Sequence, residues 1–326
     1  EVVNFVRNIW MDDDSLVSPD PQSPPRPGDH FALGDIYHSQ PVLVNPPNTS
    51  MYFFDFGFGS ASGYYDFMKQ HEKRRRVAYA GANDGMLHAF DAGFWDRVRP
   101  GTGEDYDELH DLGTGTELFA YVPHAVMRRL FAMTYGEEQQ YLVDGAISSG
   151  DVFIDPDGVG GAEPAQWRTS LIATMRRGGR GMVALDITQP DPTGGTPDFE
   201  PVVSDFAGCL SGTAGDCTGE YPRVMWEFND IEDLDDGCAF DEADAEYLDQ
   251  CAPYFDFGWS WSKPAIARIA VYNSGYADSP DDVFVAFFGG GWDRTETDAT
   301  GNWFYGLDIE TETIILKQHM GVAVPG

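Results

Sequence analysis

Two groups of carboxylates carry the residue types most suited to chemistry. Asp151, Asp155 and Asp157 surround the turn Asp155-Pro156-Asp157-Gly158, and Asp230, Glu232, Asp233, Asp235 and Asp236 form a second cluster. Clustered carboxylate and carbonyl oxygens suit a hard cation, so calcium is the one cofactor that the composition makes plausible. Neither cluster has the alternating Asp/Asn spacing, closing Gly and distant Glu of a calcium loop. Each therefore reads first as a turn or a solvated loop, with Asp151, Asp155 and Asp157 kept as the candidate metal ligands.

The other reactive side chains are dispersed. Seven histidines (30, 38, 71, 88, 110, 124 and 319) include no pair at helical i, i+4 spacing and no His-Glu-x-x-His. His88, between Leu87 and Ala89, reads as a packed or edge residue of a strand rather than a ligand. There is no Gly-x-Ser-x-Gly elbow, P-loop or dinucleotide fingerprint. Gly289-Gly290-Gly291 follows a strand but lacks the glycine spacing and the helix that phosphate binding requires. No catalytic residue is assigned. Four cysteines fall in two close pairs, Cys209 with Cys217 and Cys238 with Cys251, in acidic or Gly-rich loops without a neighbouring His. Local disulfides are the favoured state, ahead of free thiols and far ahead of zinc, and they would imply an oxidising compartment.

The elements that must position these groups are short strands. Gly (37) and Pro (21) are plentiful, while 42% hydrophobic and 14% aromatic residues suffice for a large packed core. A net charge of −34 repels nucleic-acid phosphates and anionic lipid, so neither is expected as a partner. No apolar stretch is long enough to span a membrane, and residue 1 does not open a secretion signal, which would have to lie upstream. Two basic islands, Lys73 to Arg76 and Arg176-Arg177 with Arg180, read as ion-pairing partners of the surrounding carboxylates. The aromatic runs Tyr52 to Phe58 and Tyr254 to Trp261 read mainly as packing between blades, with an exposed adhesive patch as the sharper alternative.

Along the chain, residues 1–11 have the spacing of a short amphipathic helix (Val2, Phe5, Val6, Ile9), and 12–29 reads as an acidic, proline-rich linker. The clearest unit is 77–91, where strand-like Val77 to Ala80 and Met86 to Phe90 flank the turn Asn83-Asp84-Gly85. Its pieces recur. Ser39-Gln40-Pro41-Val42 matches Ser262-Lys263-Pro264-Ala265, and Ala89-Phe90-Asp91 matches Ala184-Leu185-Asp186 and Gly306-Leu307-Asp308. The openings lie 50 (Pro41 to Asp91), 41 (Gly145 to Asp186) and 44 residues (Pro264 to Asp308) before the closing aspartates. Modules of that length, opening on a strand and closing on a hairpin, describe β-propeller blades. The closing Asp91, Asp186 and Asp308 are expected to cap turns rather than to do chemistry. A short helix is expected over Pro123 to Tyr135. With less regular units over 92–144 and 187–261, five blade-like units are expected, three clear and two distorted.

In chain order, Gly34-Asp35-Ile36-Tyr37-His38-Ser39-Gln40-Pro41, Ala80 to Asp91, Tyr141 to Gly145 with Gly150-Asp151-Val152, Arg177 to Asp186, Trp261 to Ala267 and Phe284 to Gly291 resemble the C-terminal domain of the PilY family of type IV pilus tip-associated proteins. The resemblance covers most of the chain. It implies an all-β, modified β-propeller with quinoprotein-like blades, irregular insertions and one or two short helices. It also implies an exported, extracellular, non-enzymatic protein at the pilus tip, acting with minor pilins in assembly, retraction control and adhesion to a host or abiotic surface. Residues 1–33 then read as the exit from a preceding region, and 34–326 as a propeller incomplete at its C-terminal end. The Asp-rich calcium loop of the family has no counterpart before Gly326, so no ligand is carried over from it. The acidic, cysteine-bearing stretch at about 205–258 is longer than the family pattern. Two rival functions remain. The Asn83-to-Asp91 hairpin also resembles quinone-dependent dehydrogenase propellers, and a carbohydrate-binding surface propeller would share the same blades.

Overall fold

The computed structural model describes residues 10–12, 15–17, 33–52, 63–93, 110, 112–133, 140–155, 165–190, 221–229, 257–271, 281–292 and 301–321. A small hairpin pairs β1 (Trp10–Asp12) with β2 (Ser15–Val17). Trp10 and Met11 are therefore strand, against the helix expected over 1–11. Trp10 faces Val17 and Asp12 faces Ser15 across the pair. Residues 1–9 lie outside the described part.

The other strands among the described residues form three four-stranded antiparallel sheets. The first runs β3 (Val42–Val44), β4 (Val77–Gly81), β5 (Leu87–Asp91) and β6 (Glu117–Tyr121). The second runs β7 (Ile147–Ile154), β8 (Gln166–Thr174), β9 (Gly181–Asp186) and β10 (Arg223–Asn229). The third runs β11 (Ala265–Val271), β12 (Asp281–Gly289), β13 (Trp303–Asp308) and β14 (Ile314–His319). Each sheet is a meander in sequence order, the build of a propeller blade. The first strands β3, β7 and β11 lie side by side from sheet to sheet.

Five blade-like units thus resolve into three. The strands assigned to two distorted blades, Glu117–Tyr121 and Arg223–Asn229, are the fourth strands of the first and second sheets. Residues 92–116 and 187–222 separate them from their third strands, so sequence spacing alone detaches them. The matched openings have a physical cause. Ser39 Oγ accepts the N–H of Gly81 at 3.0 Å, and Ser262 Oγ accepts that of Gly289 at 3.0 Å. In each case the serine before the first strand holds the last residue of the second.

The second sheet is packed on both faces, which explains why β8 and β9 read as continuous apolar runs. Leu171, Ala173, Val183 and Leu185 join the core shared with the first sheet. Their alternates Ile172, Met182 and Ala184, with Trp226 and Phe228, join the core shared with the third. Two α-helices among the described residues sit on this frame. α1 (Tyr64–Gln70) was not marked by apolar periodicity; it carries Asp66 in its first turn and Lys69 in its last, and it buries Tyr64 and Phe67. α2 (His124–Met133) starts just after Pro123, inside the expected helix. It buries Val126 and Leu130 against the core between the first two sheets.

Candidate functional site

The aspartates that close the blades share one geometry. Asp91, Asp186 and Asp308 end the third strand of each sheet, and each accepts the N–H two residues on: Gly93 at 3.2 Å, Thr188 at 2.9 Å and Glu310 at 2.9 Å. Threonine hydroxyls add to two of them, Thr114 to Asp91 at 2.7 Å and Thr188 to Asp186 at 2.5 Å. Arg75 lies 3.6 Å from Asp91 and Arg168 3.5 Å from Asp186. Val77 faces Asp91 and Ser170 faces Asp186 across the ladder, so each arginine stands two residues before the partner of its aspartate. In the third sheet Val283 occupies that position, and Asp308 is only half-buried. Burial pushes the Asp91 carboxyl up, but the Thr114 and Gly93 donors and the Arg75 charge outweigh it and hold the group below its ordinary value.

Asn83, Asp84 and Gly85 form the β4–β5 turn and also staple it to distant chain. Asp84 accepts N–H groups from Met86 at 3.0 Å and Gly34 at 2.7 Å. Asn83 donates to Asp35 at 3.0 Å and accepts from Leu142 N–H at 3.2 Å. Gly85 has φ +94, and an added Cβ would lie 2.3 Å from Leu130 Cδ2. Buried His88 links Asp84, at 3.0 Å, with Glu117 of β6. Burial pushes His88 down, yet the hydrogen bonds and charges of Asp84 and Glu117 prevail and raise it to about 9. A second His–carboxylate pair, His38 Nδ1 with Asp144 at 2.5 Å, ties the opening of the first sheet to that of the second.

Asp151 sits at the inner seam. It is buried on β7 and accepts hydroxyls from Tyr64 at 2.6 Å, Thr169 at 2.8 Å and Thr49 at 3.4 Å. Buried Arg74 donates to Thr169 Oγ1 at 2.8 Å and to the carbonyls of Asn45 and Thr188. An Arg74–Thr169–Asp151 relay therefore fastens the first sheet to the second. Burial first, then the Asp151 charge, pushes the Tyr64 phenol far above its usual value. Asp151 borders a cleft of about 390 Å³ with Val42, Thr49, Tyr52, Lys263 and Ile266, in front of the first strands.

Among the described residues, Asp151 is not part of a carboxylate cluster. Asp155 follows the end of β7 and its backbone N–H serves Glu310, while four residue steps along the extended strand set it about 13 Å from Asp151. The oxygens of Asp151 are engaged by three hydroxyls, and among the described residues no three His, Cys, Asp or Glu side chains converge. Asp157, all four cysteines and the cluster from Asp230 to Asp236 lie outside the described residues. Of the basic islands, Arg74 and Arg75 are buried ties. Of the aromatic runs, Tyr52 and Phe257 are core, whereas Trp261 is exposed.

Comparison with known proteins gives this architecture its family. The model of the PilY1 beta-propeller domain matches residues 33–204, from the opening of the first sheet through β9. The chain belongs to the PilY1 β-propeller family. A type IV pilus biogenesis factor PilY1 homolog of Xylella fastidiosa is 40% identical over 161 residues, 48% of this chain and 11% of that protein. The type IV pilus biogenesis factor PilY1 of Pseudomonas aeruginosa (strain UCBPP-PA14) is 27% identical over 259 residues, 76% of this chain and 16% of its own. The chain thus spans 11 to 16% of the length of these relatives. The crystal structure of the Pseudomonas aeruginosa PilY1 C-terminal domain aligns with a TM-score of 0.45 at 22% identity, over 87% of this chain and 38% of that one. No helix among the described residues is long and apolar enough to cross a membrane.

Proposed function

We propose that this chain is a non-enzymatic module of a type IV pilus tip protein, exported to the cell surface, that acts with minor pilins in pilus assembly and retraction control and in adhesion. The observation that carries the proposal is the family match over 33–204, together with curated relatives named for pilus biogenesis rather than for a reaction. The polar clusters agree with a scaffold, because Asp91, Asp186 and Asp151 spend their oxygens on turns and ties between sheets.

A partner strand has an obvious place to add. β14 is paired with β13 on one side, and five of its six residues are exposed, Ile315 and Leu316 among them. An exposed edge with apolar side chains is the usual substrate of β-augmentation, in which main-chain hydrogen bonds supply the affinity. The minor pilin is the proposed donor. The test is removal of the gene from its own organism, with surface pili counted by shearing and electron microscopy. Loss of pili, restored by the intact gene and not by one lacking 34–321, is the expected result. Normal piliation without the gene would overturn the proposal.

A further inference from the structure

Between the second and third sheets lies a cleft of about 540 Å³ that the scaffold does not use. That volume falls within the range of about 300–1,000 Å³ typical of small-molecule sites. Its walls include Trp261 and Trp292, each 43% exposed, with ring centroids 6.0 Å apart and planes tilted by 59°. Large indoles half in water are unusual where a core is available, and paired ones mark a binding surface.

The tryptophans are held in place rather than left loose. Trp259 and Trp292 exchange both backbone hydrogen bonds at 2.9 Å, making a short bridge that extends the third sheet. Buried Ser260 Oγ accepts the N–H groups of Met175 and Arg176, fastening this arm to the turn after β8. At that turn Arg176 adopts φ 51, a left-handed conformation that costs a non-glycine residue about 1 kcal/mol. The strained residue lays its guanidinium 4.2 Å over the Trp261 ring, a placement that fixes the indole. Gly289, Gly290 and Gly291 line the cleft. Packing demands glycine at 291, where φ is +89 and a Cβ would lie 2.3 Å from Trp259 O. Without side chains the three glycines keep this wall low, while Gly289 N–H donates to Ser262 Oγ, Gly290 N–H donates to the Trp303 carbonyl and Gly290 C=O accepts from Gly258 N–H.

Arg177 completes the lining. It is exposed, lies 5.5 Å from the Tyr141 ring, and meets no carboxylate among the described residues. An exposed arginine that meets no acid among the described residues stands out in a chain of net charge −34. Its planar fork matches a carboxylate bidentately.

We infer that this cleft binds a saccharide carrying a carboxylate, a uronate, whose ring C–H faces rest on Trp261 and Trp292 and whose carboxylate pairs with Arg177. The inference deepens the adhesive part of the proposed function and rests on it. A proline-rich peptide also suits aromatic walls, but it offers Arg177 no anion.

The test is isothermal titration of the full-length protein with a hexamannuronate and with neutral cellohexaose. Saturable binding of the uronate, at least about tenfold stronger than of the neutral sugar, is expected. Trp292→Ala should weaken uronate binding about tenfold. Arg177→Gln, at an exposed position that leaves the fold intact by circular dichroism, should abolish the preference over cellohexaose. Absence of uronate binding, uronate binding unchanged in both variants, or displacement by a proline-rich peptide and not by uronate would overturn the inference. Counting surface pili in cells carrying Arg177→Gln separates the two levels: intact pili with lost uronate binding support the site, whereas lack of uronate binding by a wild-type protein that restores pili sinks the inference alone.

Discussion

Replacing Asp186 and Asp308 one at a time weighs the same motif with and without its arginine. Asp186 is 7% exposed, takes the N–H and hydroxyl of Thr188 and lies 3.5 Å from Arg168. Asp186→Ala removes a buried carboxylate, its two turn hydrogen bonds and its pairing with half-buried Arg168, which should cost about 2–3 kcal/mol. Asp308 is half-buried, takes one N–H and lacks the matching arginine. Asp308→Ala should cost about 1 kcal/mol, the net value of one hydrogen bond. Asp186→Asn keeps a turn acceptor and loses the charge, so it should fall between the two. Urea unfolding followed by tryptophan emission reads all three, since Trp167 and Trp226 lie on β8 and β10 of the same sheet. Equal losses for Asp186→Ala and Asp308→Ala would refute the claim that the Asp186–Arg168 pair, rather than the turn alone, holds the second blade.

Three further outcomes follow from the packing. His88 is raised to about 9, so relative to an unfolded value near 6.5 its contribution is full below about pH 6.5 and is lost as pH rises through 9. Because Glu117 is half-exposed and screened, the loss should be about 1–3 kcal/mol; urea midpoints at pH 6.5 and 9.5 should differ in the wild type and converge in His88→Gln. His71 works in the opposite sense: burial, then Arg74 and Arg168, lower it to about 4. Its stabilisation is therefore present above pH 6.5 and lost as pH falls toward 4, and His71→Phe should flatten that acid limb in the same titration. Gly178→Ala would place Cβ 1.4 Å from Leu142 O, a backbone atom that cannot step aside; expression without a cooperative melt is expected, and a wild-type Tm would contradict the packing.

Much of the fold was legible because the repeats have local causes. The paired Ser-x-Pro openings are serines that hold the ends of β4 and β12, and the Asn-Asp-Gly turn follows from side chains that bond their own backbone. What spacing cannot show is any tie between residues far apart in sequence. His38 with Asp144, and Arg74 with Thr169 and Thr188, join positions about a hundred residues apart, and nothing near them in sequence signals the partner. The fourth strands were misassigned for the same reason, since long connections separate them from their neighbours. α1 escaped notice because seven residues are too few for periodicity, and only the charges of Asp66 and Lys69 marked its ends. The Trp261–Trp292 cleft was half visible: the aromatic run was plain, but its pairing with Trp292 depends on the bridge between two loops.

The central claim is that this propeller works as part of a pilus. A photo-crosslinking residue placed at Leu316 on β14 of the full-length protein, in its own organism, tests it most directly. The protein should appear in the sheared pilus fraction and crosslink to a minor pilin, with the adduct weakened by a second substitution, Lys317→Pro, on the same edge. Absence of the protein from sheared pili, with no pilin adduct in cells that carry normal pili, would contradict it.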